Sequence, residues 1–281
     1  CTFYISMSLR TPALRGSLFA VCASLALQSF AAENHSSTAS LDPTVVTAGR
    51  IQQNLNDVIA DMTVVDRDTI EKSGANSVAD ILSRQPGIEL VRNGGPAGTT
   101  SVFVRGAPSQ YTAVLIDGVR VDSQAGSGGV SWNSIPTSAI EHIEILRGPC
   151  AAVYGSDAMA GVIQIFTRKG RTGFHPSVEF GLGTHNTQKL NASVRGGSAV
   201  FDYAVALGYE KSQGFDSRPK VATANHDKDG YRNHSGSLSL GWNVHAKHRL
   251  ELSALDSATN NQYDSSPVQN DESFNDTRTL S

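Results

Sequence analysis

After Lys169 the sequence alternates large apolar residues with small or polar ones, and this alternation limits the possible folds more than any other feature of the chain. It runs through Val178–Gly183, Phe201–Glu210 and Ser237–Val244. Because successive side chains of a strand point to opposite faces, each segment predicts a strand with one apolar face. A membrane barrel with a wet lumen places that face outside, whereas a soluble sandwich places it inside. The alternation alone leaves both architectures open.

The connections between the predicted strands differ in length. Gly196–Ser198 and His245–Lys247 are short, whereas Gln213–Gly230 and Thr259–Ser273 are long. Short turns at one end of a sheet and longer loops at the other are typical of outer-membrane barrels. We therefore expect an antiparallel sheet with two long loops at the same end.

The first 32 residues predict a secretory signal peptide. Arg10 and Arg15 form its basic region, and the apolar run Leu18–Leu27 is shorter than the ~20 residues that a membrane-spanning helix needs. Met7 is a plausible start, which would leave residues 1–6 untranslated. Cleavage of the signal would leave Cys150 as the single thiol, so we expect no internal disulfide.

Between the leader and Lys169 the local patterns predict a mixed domain of short elements. They are, in order, a strand at Met62–Val65, a helix between the capping residues Asp66 and Gly74, a helix opened by Ser77 and Asp80, a hairpin of Ile88–Arg92 with Ser101–Gly106, and a strand at Thr112–Ile116 that turns at Asp117-Gly118.

The stretch Glu141–Thr167 carries the clearest pattern of the chain. Its apolar residues predict a buried strand that ends at Gly148-Pro149, because proline has no N–H to donate. Ala151–Tyr154 predicts one turn of helix, and Val162–Phe166 predicts a second strand. No histidine accompanies a nucleophile in this stretch, so it gives no support to catalysis.

This stretch resembles the end of the plug domain of TonB-dependent outer-membrane receptors. The matching residues are Leu146–Pro149, Tyr154–Ser156, Ala158, Gly161–Ile163 and Ile165. Val104–Gly106 and Leu115–Val119 match further motifs of that family in the same order. Two positions depart from the pattern, since Ala160 replaces a glycine and Cys150 follows the proline.

The resemblance implies an α+β plug domain followed by the start of an antiparallel transmembrane β-barrel. It places the signal peptide at 1–32, a leader with the TonB box at 33–49, the plug domain at 50–170 and the first barrel strands at 171–281. Plugged transporters with about 22 strands need roughly 220 residues for the strands alone. We therefore expect the chain to be truncated at Ser281 and its barrel to be incomplete.

The segment behind the leader resembles the TonB box of this family. Its residues are Thr44, Val45, Val46, Thr47 and Ala48, whose β-branched side chains favour an extended chain. The resemblance implies that the TonB energy-coupling protein captures this segment by strand addition. An ordinary first strand is the alternative.

Two further groups of site residues follow from the resemblance. Arg105 and Arg147 are expected to latch the plug domain to the barrel by pairing with glutamates of the wall beyond Ser281, which would leave both guanidinium groups uncompensated in this chain.

Two glycine-rich tips are expected to face the ligand. The predicted substrate-binding residues are Asn93, Gly94, Gly95, Ser127 and Gly128.

The predicted outer loops are rich in aspartate. Calcium takes about six to eight oxygen ligands, largely carboxylates and carbonyls, and two adjacent loops can supply them. The arrangement resembles the calcium loops of cobalamin-binding members of the family, and a solvated acidic loop is the alternative. The predicted calcium ligands are Asp216, Asp227, Asp229, Asp256 and Asp264.

Composition and resemblance together lead to one functional expectation. The formal charge of -3 argues against a nucleic-acid partner. The resemblance implies TonB-powered import of a large ligand, cobalamin or another corrinoid, across the outer membrane. A ferric siderophore or haem is the second ligand class, and a soluble β-rich binding or adhesion module is the alternative outside the family. No arrangement of acid, base and nucleophile predicts an enzyme.

Overall fold

The computed structural model describes residues 44–45, 53–54, 56, 59–95, 98–121, 130–216, 227–245, 248–266 and 269–281. The predicted signal peptide lies outside these ranges, as do residues 46–48 of the predicted TonB box and the predicted substrate residues Ser127 and Gly128. In the described ranges no helix combines the length and the hydrophobicity needed to cross a membrane.

Short strands and helices build the predicted plug domain, residues 50–170, and one short strand precedes it. The strands are β1 (Thr44–Val45), which lies before the domain, and then β2 (Gln53–Asn54), β3 (Asp61–Val65), β4 (Ile88–Arg92), β5 (Thr100–Val104), β6 (Thr112–Ile116), β7 (Val119–Arg120), β8 (Ile140–Arg147) and β9 (Gly161–Thr167). Its helices are α1 (Arg67–Ser73), α2 (Val78–Leu82) and α3 (Ala151–Tyr154). The predicted strands, helices and hairpin of this domain are all confirmed, with ends that shift by a few residues.

Five of these strands form a mixed sheet in the order β3-β8-β9-β6-β7. β6 and β9 are parallel, and the other neighbours are antiparallel. The central strands are nearly continuous apolar runs because both of their faces are covered. Ile143 and Ile145 of β8 and Ile163 and Ile165 of β9 are 0% exposed, and α1 and α2 bury Ile70 and Ile81 in the same core.

Local hydrogen bonds explain where the helices begin and end. Asp66 accepts the backbone N–H of Thr69 at 2.8 Å, and Gly74 ends α1 with a φ of 59°, in the left-handed region that favours glycine. The hydrogen bonds from Thr69 lower the pKa of Asp66. At α2, Ser77 and Asp80 form the predicted reciprocal capping box.

The predicted turn at Asp117-Gly118 connects β6 to β7. Both residues have a positive φ, 46° and 84°, as a type I′ turn requires. The carboxylate of Asp117 also accepts the backbone N–H of Thr167 at 2.9 Å, at the end of β9. The Asp-Gly pair therefore serves both the turn and the adjacent strand of the sheet.

After Gly170, six antiparallel strands follow one another in chain order as an open sheet, the meander. They are β10 (Gly173–Gly183), β11 (Thr187–Gly197), β12 (Phe201–Ser212), β13 (Tyr231–His245), β14 (His248–Ser266) and β15 (Gln269–Leu280). Large apolar side chains cover the outer face, including Phe174, Phe180, Leu207, Trp242 and Leu250, which are all more than half exposed. The inner face buries small and polar residues such as Asn191, Ser239 and Ser257.

One predicted loop is wrong, because residues 259–273 are largely strand. Thr259 pairs with Asn275 and Tyr263 pairs with Asp271, so β14 and β15 form a long hairpin. Both faces of this hairpin are polar, so its sequence lacks the apolar alternation that predicts a strand. The strands still pair, because main-chain hydrogen bonds do not depend on apolar side chains. The connection between β12 and β13 remains long.

Candidate functional site

The start of the predicted TonB box is extended in the structure. Thr44 and Val45 pair antiparallel with Asn54 and Gln53, respectively. A two-residue ladder contributes few hydrogen bonds and is marginal by itself. The first two box residues therefore already have the conformation that strand addition requires, although they are paired within the chain.

The predicted substrate tip lies between β4 and β5. The backbone N–H of Asn93 donates to the carbonyl of Thr99 at 3.0 Å, while Asn93 and Gly94 are exposed. Gly95 is buried, and a Cβ added there would lie 3.5 Å from the carbonyl oxygen of Asp229. The tip of the plug domain therefore rests against the segment that leads into β13.

Three of the five predicted calcium ligands lie together at this end of the meander. Asp227, Asp229 and Asp264 each place a carboxylate oxygen within 4.8 Å of the others. Asp229 is 4% exposed, and Oδ1 of Asp227 is buried with no hydrogen bond to any described residue. Carboxylates this close repel each other unless a proton or a cation compensates their charge. The donor set, all carboxylate oxygen, suits a hard cation.

The other two predicted ligands are not among these three carboxylates. Asp216 precedes the group on the β12–β13 connection and is not one of the three converging carboxylates. Asp256 lies on the outer face of β14 and pairs with Arg278 at 2.7 Å. At ~3.4 Å per residue, Asp256 and Asp264 are about 27 Å apart along the strand. The prediction of Asp256 as a ligand of the same site is therefore wrong.

The two predicted latch arginines meet at one carboxylate within the plug domain. Arg147 donates from Nη1 to Asp61 at 3.2 Å and to Thr63 at 2.8 Å, and Arg105 also pairs with Asp61. The expectation that both groups are uncompensated is wrong, because β3 lies beside β8 and brings Asp61 opposite Arg147. Nε and Nη2 of Arg147 are buried and make no hydrogen bond to the described residues. Pairing with a wall glutamate stays a prediction.

A polar cavity of about 410 Å³ separates part of the plug domain from the meander. Asp80 and Arg92 line its plug side and form an ion pair at 2.9 Å. Glu210 and Tyr231 line the meander side, where the tyrosine hydroxyl donates to the carboxylate. No local pattern predicted that these residues line one cavity, because they come from segments that are distant in the sequence.

Charged pairs between the plug domain and the meander were also missed by the sequence analysis. Glu141 at the start of β8 accepts a hydrogen bond from Arg195 of β11 at 3.1 Å, and Arg168 lies 3.6 Å from the same carboxylate. Burial, together with the nearby Arg195 and Arg67, lowers the pKa of Arg168. Lys169 in the connection to β10 pairs with Glu251 of β14. These contacts fasten the C-terminal end of the plug domain to the meander.

The fold and these contacts define a class of protein. Residues 54–162 match the family model of the TonB-dependent Receptor Plug Domain. The chain therefore carries the plug domain of the TonB-dependent receptors, and the meander corresponds to the first strands of their barrel. This confirms the predicted fold class. The family is one of receptors and transporters and is not an enzyme class.

Two curated relatives are vitamin B12 transporters named BtuB. The BtuB of Vibrio vulnificus (strain CMCP6) is 37% identical over 225 residues, which are 80% of this chain and 36% of that protein. The BtuB of Vibrio cholerae serotype O1 (strain M66-2) is 36% identical over 197 residues, 69% of this chain and 32% of that protein. This chain thus spans about a third of the length of these relatives.

Solved receptors have the same fold. The siderophore receptor PirA from Acinetobacter baumannii matches with a TM-score of 0.61 and 28% identity, over 72% of this chain and 32% of PirA. FpvA of P. aeruginosa, in complex with a heterologous pyoverdine and iron, matches with a TM-score of 0.69 over 85% of this chain and 33% of FpvA. At 18% identity the likeness to FpvA shows the fold alone.

Proposed function

We propose that this chain supplies the plug domain and the first barrel strands of a TonB-dependent outer-membrane transporter for cobalamin or another corrinoid. The observation that carries the proposal is the reversed burial of the meander, where Phe180 and Leu207 are exposed on the outer face and Ser239 and Ser257 are buried on the inner face. Lipid stabilises an apolar outer face of this extent, whereas water does not. A soluble β module would place its apolar face inside.

The choice of ligand rests on the relatives. Those at 36–37% identity are vitamin B12 transporters, while the structurally similar PirA is a siderophore receptor. A corrinoid is therefore the first ligand class and a ferric siderophore the second. Isothermal titration of the full-length receptor with cyanocobalamin and with a ferric siderophore separates them. Binding of the siderophore alone would transfer the proposal to the second class.

Import past a plug domain requires an energy source, and the outer membrane has no nucleotide to supply one. A TonB protein of the inner membrane would capture Thr44–Ala48 by strand addition, replacing the short pairing of β1 with β2. Ligand binding on the outside would favour this exchange on the inside. Such a link is a coupling between two sites, so each site must differ between the bound and free states.

We also propose that Asp227, Asp229 and Asp264 hold a calcium ion. The close carboxylates and the buried Oδ1 of Asp227 support this proposal. When bound, calcium would neutralise the carboxylates and tie the β12–β13 connection to β14. Because Gly95 rests on the carbonyl of Asp229, the same ion would steady the tip of the plug domain.

Location is tested by fractionation. We expect the full-length receptor in the outer membrane, where the signal peptide would direct it, with a band that shifts on a gel after heating, as stable barrels show. A detergent-free soluble protein without such a shift would favour the binding or adhesion module instead.

A further inference from the structure

Leu255 is an apolar residue in an otherwise polar row. Along the inner face of β14 its neighbours are Ser253 and Ser257, and its cross-strand partners are Ser237 and Thr279. Yet Leu255 is 3% exposed and belongs to the hydrophobic core of the plug domain. The meander therefore contributes one side chain to the core of the other domain.

The part of the plug domain next to this strand is the short turn Trp132–Ser134, which lies against β14 and β15. Trp132 and Ile135 are buried in the same core as Leu255. One apolar cluster thus extends across the boundary between the domains. Opening the boundary here would expose apolar side chains of this cluster to water.

Hydrogen bonds connect the same turn to two strands of the meander and to the β4–β5 tip. Oγ of Ser134 lies 2.6 Å from Oγ1 of Thr277 on β15, and Nδ2 of Asn233 on β13 donates to the carbonyl of Asn133 at 2.5 Å. The Asn133 side chain in turn donates to the carbonyl of Gly98 at 3.4 Å, at the base of the β4–β5 tip. Separation here would leave buried polar groups unpaired, which is costly.

We propose that the Trp132–Ser134 turn is the fixed attachment of the plug domain to the barrel wall, and that Leu255 is the positioning residue on the wall side. The inference rests on the proposed function, since it concerns which plug contacts stay closed during import. The polar cavity beside α2 and β4 begins at the edge of this turn, where Asn133 and Asn233 line it, and beyond that edge the two domains are separated by space lined with charged and amide groups. The ligand would pass on the cavity side while the turn stays closed.

A disulfide across the attachment tests whether it opens. In the full-length receptor carrying C150S, the pair S134C/T277C places two thiols where the native oxygens are 2.6 Å apart. We expect the variant oxidised with copper phenanthroline to import radiolabelled cobalamin at the rate of its reduced form. Uptake that is lost on oxidation and recovered with dithiothreitol would overturn the proposal.

A second measurement does not depend on the ligand. Leu255→Ser should lower the urea concentration at which the plug domain of the membrane-inserted receptor becomes protease-sensitive, whereas Leu255→Met should preserve it. Leu252→Ser is the matched control, because Leu252 lies on the outer face of the same strand and is 43% exposed. Equal midpoints for Leu255→Ser and Leu252→Ser would overturn the attachment. Absence of cobalamin binding in every variant would instead count against the proposed function.

Discussion

Arg147 and Asp61 are 86 residues apart in the sequence and form an ion pair between the end of β8 and the start of β3. The Arg147 side chain is 3% exposed, so its charge depends on nearby compensation. Asp61 also pairs with Arg105, which belongs to a second motif of the domain. The Asp61 carboxylate therefore pairs with one arginine from each of two sequence motifs, although Asp61 itself belongs to neither motif.

We expect Asp61→Asn to destabilise the plug domain by about 2–3 kcal/mol, because a buried guanidinium group would lose its counter-ion. Urea unfolding of the full-length receptor, followed by the protease sensitivity of the plug domain, measures the change. Asp68→Asn is the control, since Asp68 pairs with Lys72 on the exposed surface of α1. Its expected effect is below about 0.5 kcal/mol. Similar losses for the two variants would contradict this role of Asp61.

The pair Glu141–Arg195 should contribute to holding the plug domain in place. Glu141→Gln and Arg195→Gln are each expected to lower the urea midpoint for plug release by weakening a partly buried, charge-assisted hydrogen bond. The exchanged pair E141R/R195E should recover part of the loss, because the attraction is restored with opposite polarity while the new arginine at position 141 is repelled by Arg168. Asp256→Asn, which breaks an exposed outer-face pair, should leave the midpoint unchanged. An exchange that recovers none of the loss would argue against a direct ionic contact.

Calcium affinity should depend on the converging carboxylates. Asp227→Asn is expected to weaken calcium binding by about tenfold or more, because fewer charged ligands would remain. Asp256→Asn should have no effect, since that residue lies elsewhere on β14. Calorimetric titration of the full-length receptor with calcium measures both values. The same titration with a corrinoid should show weaker corrinoid binding in the presence of EDTA. Identical corrinoid affinities with and without EDTA would contradict a role of calcium in ligand binding.

Cys150 should react slowly. Burial raises the pKa of its thiol, which also donates to the carbonyl of Gly148 at 3.2 Å. Because the thiolate is the nucleophile, alkylation by iodoacetamide at pH 8 should be slower than that of a free thiol with a pKa of about 8.5, and should accelerate as the pH rises further. In concentrated urea the difference should vanish. Rapid alkylation of the folded protein at pH 7 would be inconsistent with a half-buried thiol.

Local structure in the plug domain was predictable because its signals lie within a few residues of each other. The Asp66 cap, the Ser77 and Asp80 capping box and the Asp117-Gly118 turn each depend on neighbours in the chain. The family motifs added the order of the elements. Both kinds of signal predict where elements start and stop.

Contacts between distant segments were not predictable in this way. The pairing of Asp61 with Arg147 follows from the position of β3 beside β8, and the place of Leu255 follows from the register of β14. Asp256 illustrates the same limit, since composition grouped it with the other aspartates while its position on β14, eight residues before Asp264, put it about 27 Å from that residue. Register and sheet order, rather than residue type, decided these cases.

The central claim is that a plug domain closes a barrel through which a corrinoid is imported by energy from the inner membrane. Uptake of radiolabelled cobalamin in a strain that lacks its own corrinoid receptor tests it most directly, with the full-length receptor and its Val46→Pro variant. We expect the unmodified receptor to accumulate cobalamin. The variant should bind cobalamin equally but accumulate none, because proline cannot donate to an added strand. Accumulation by the variant at the unmodified rate would contradict the account.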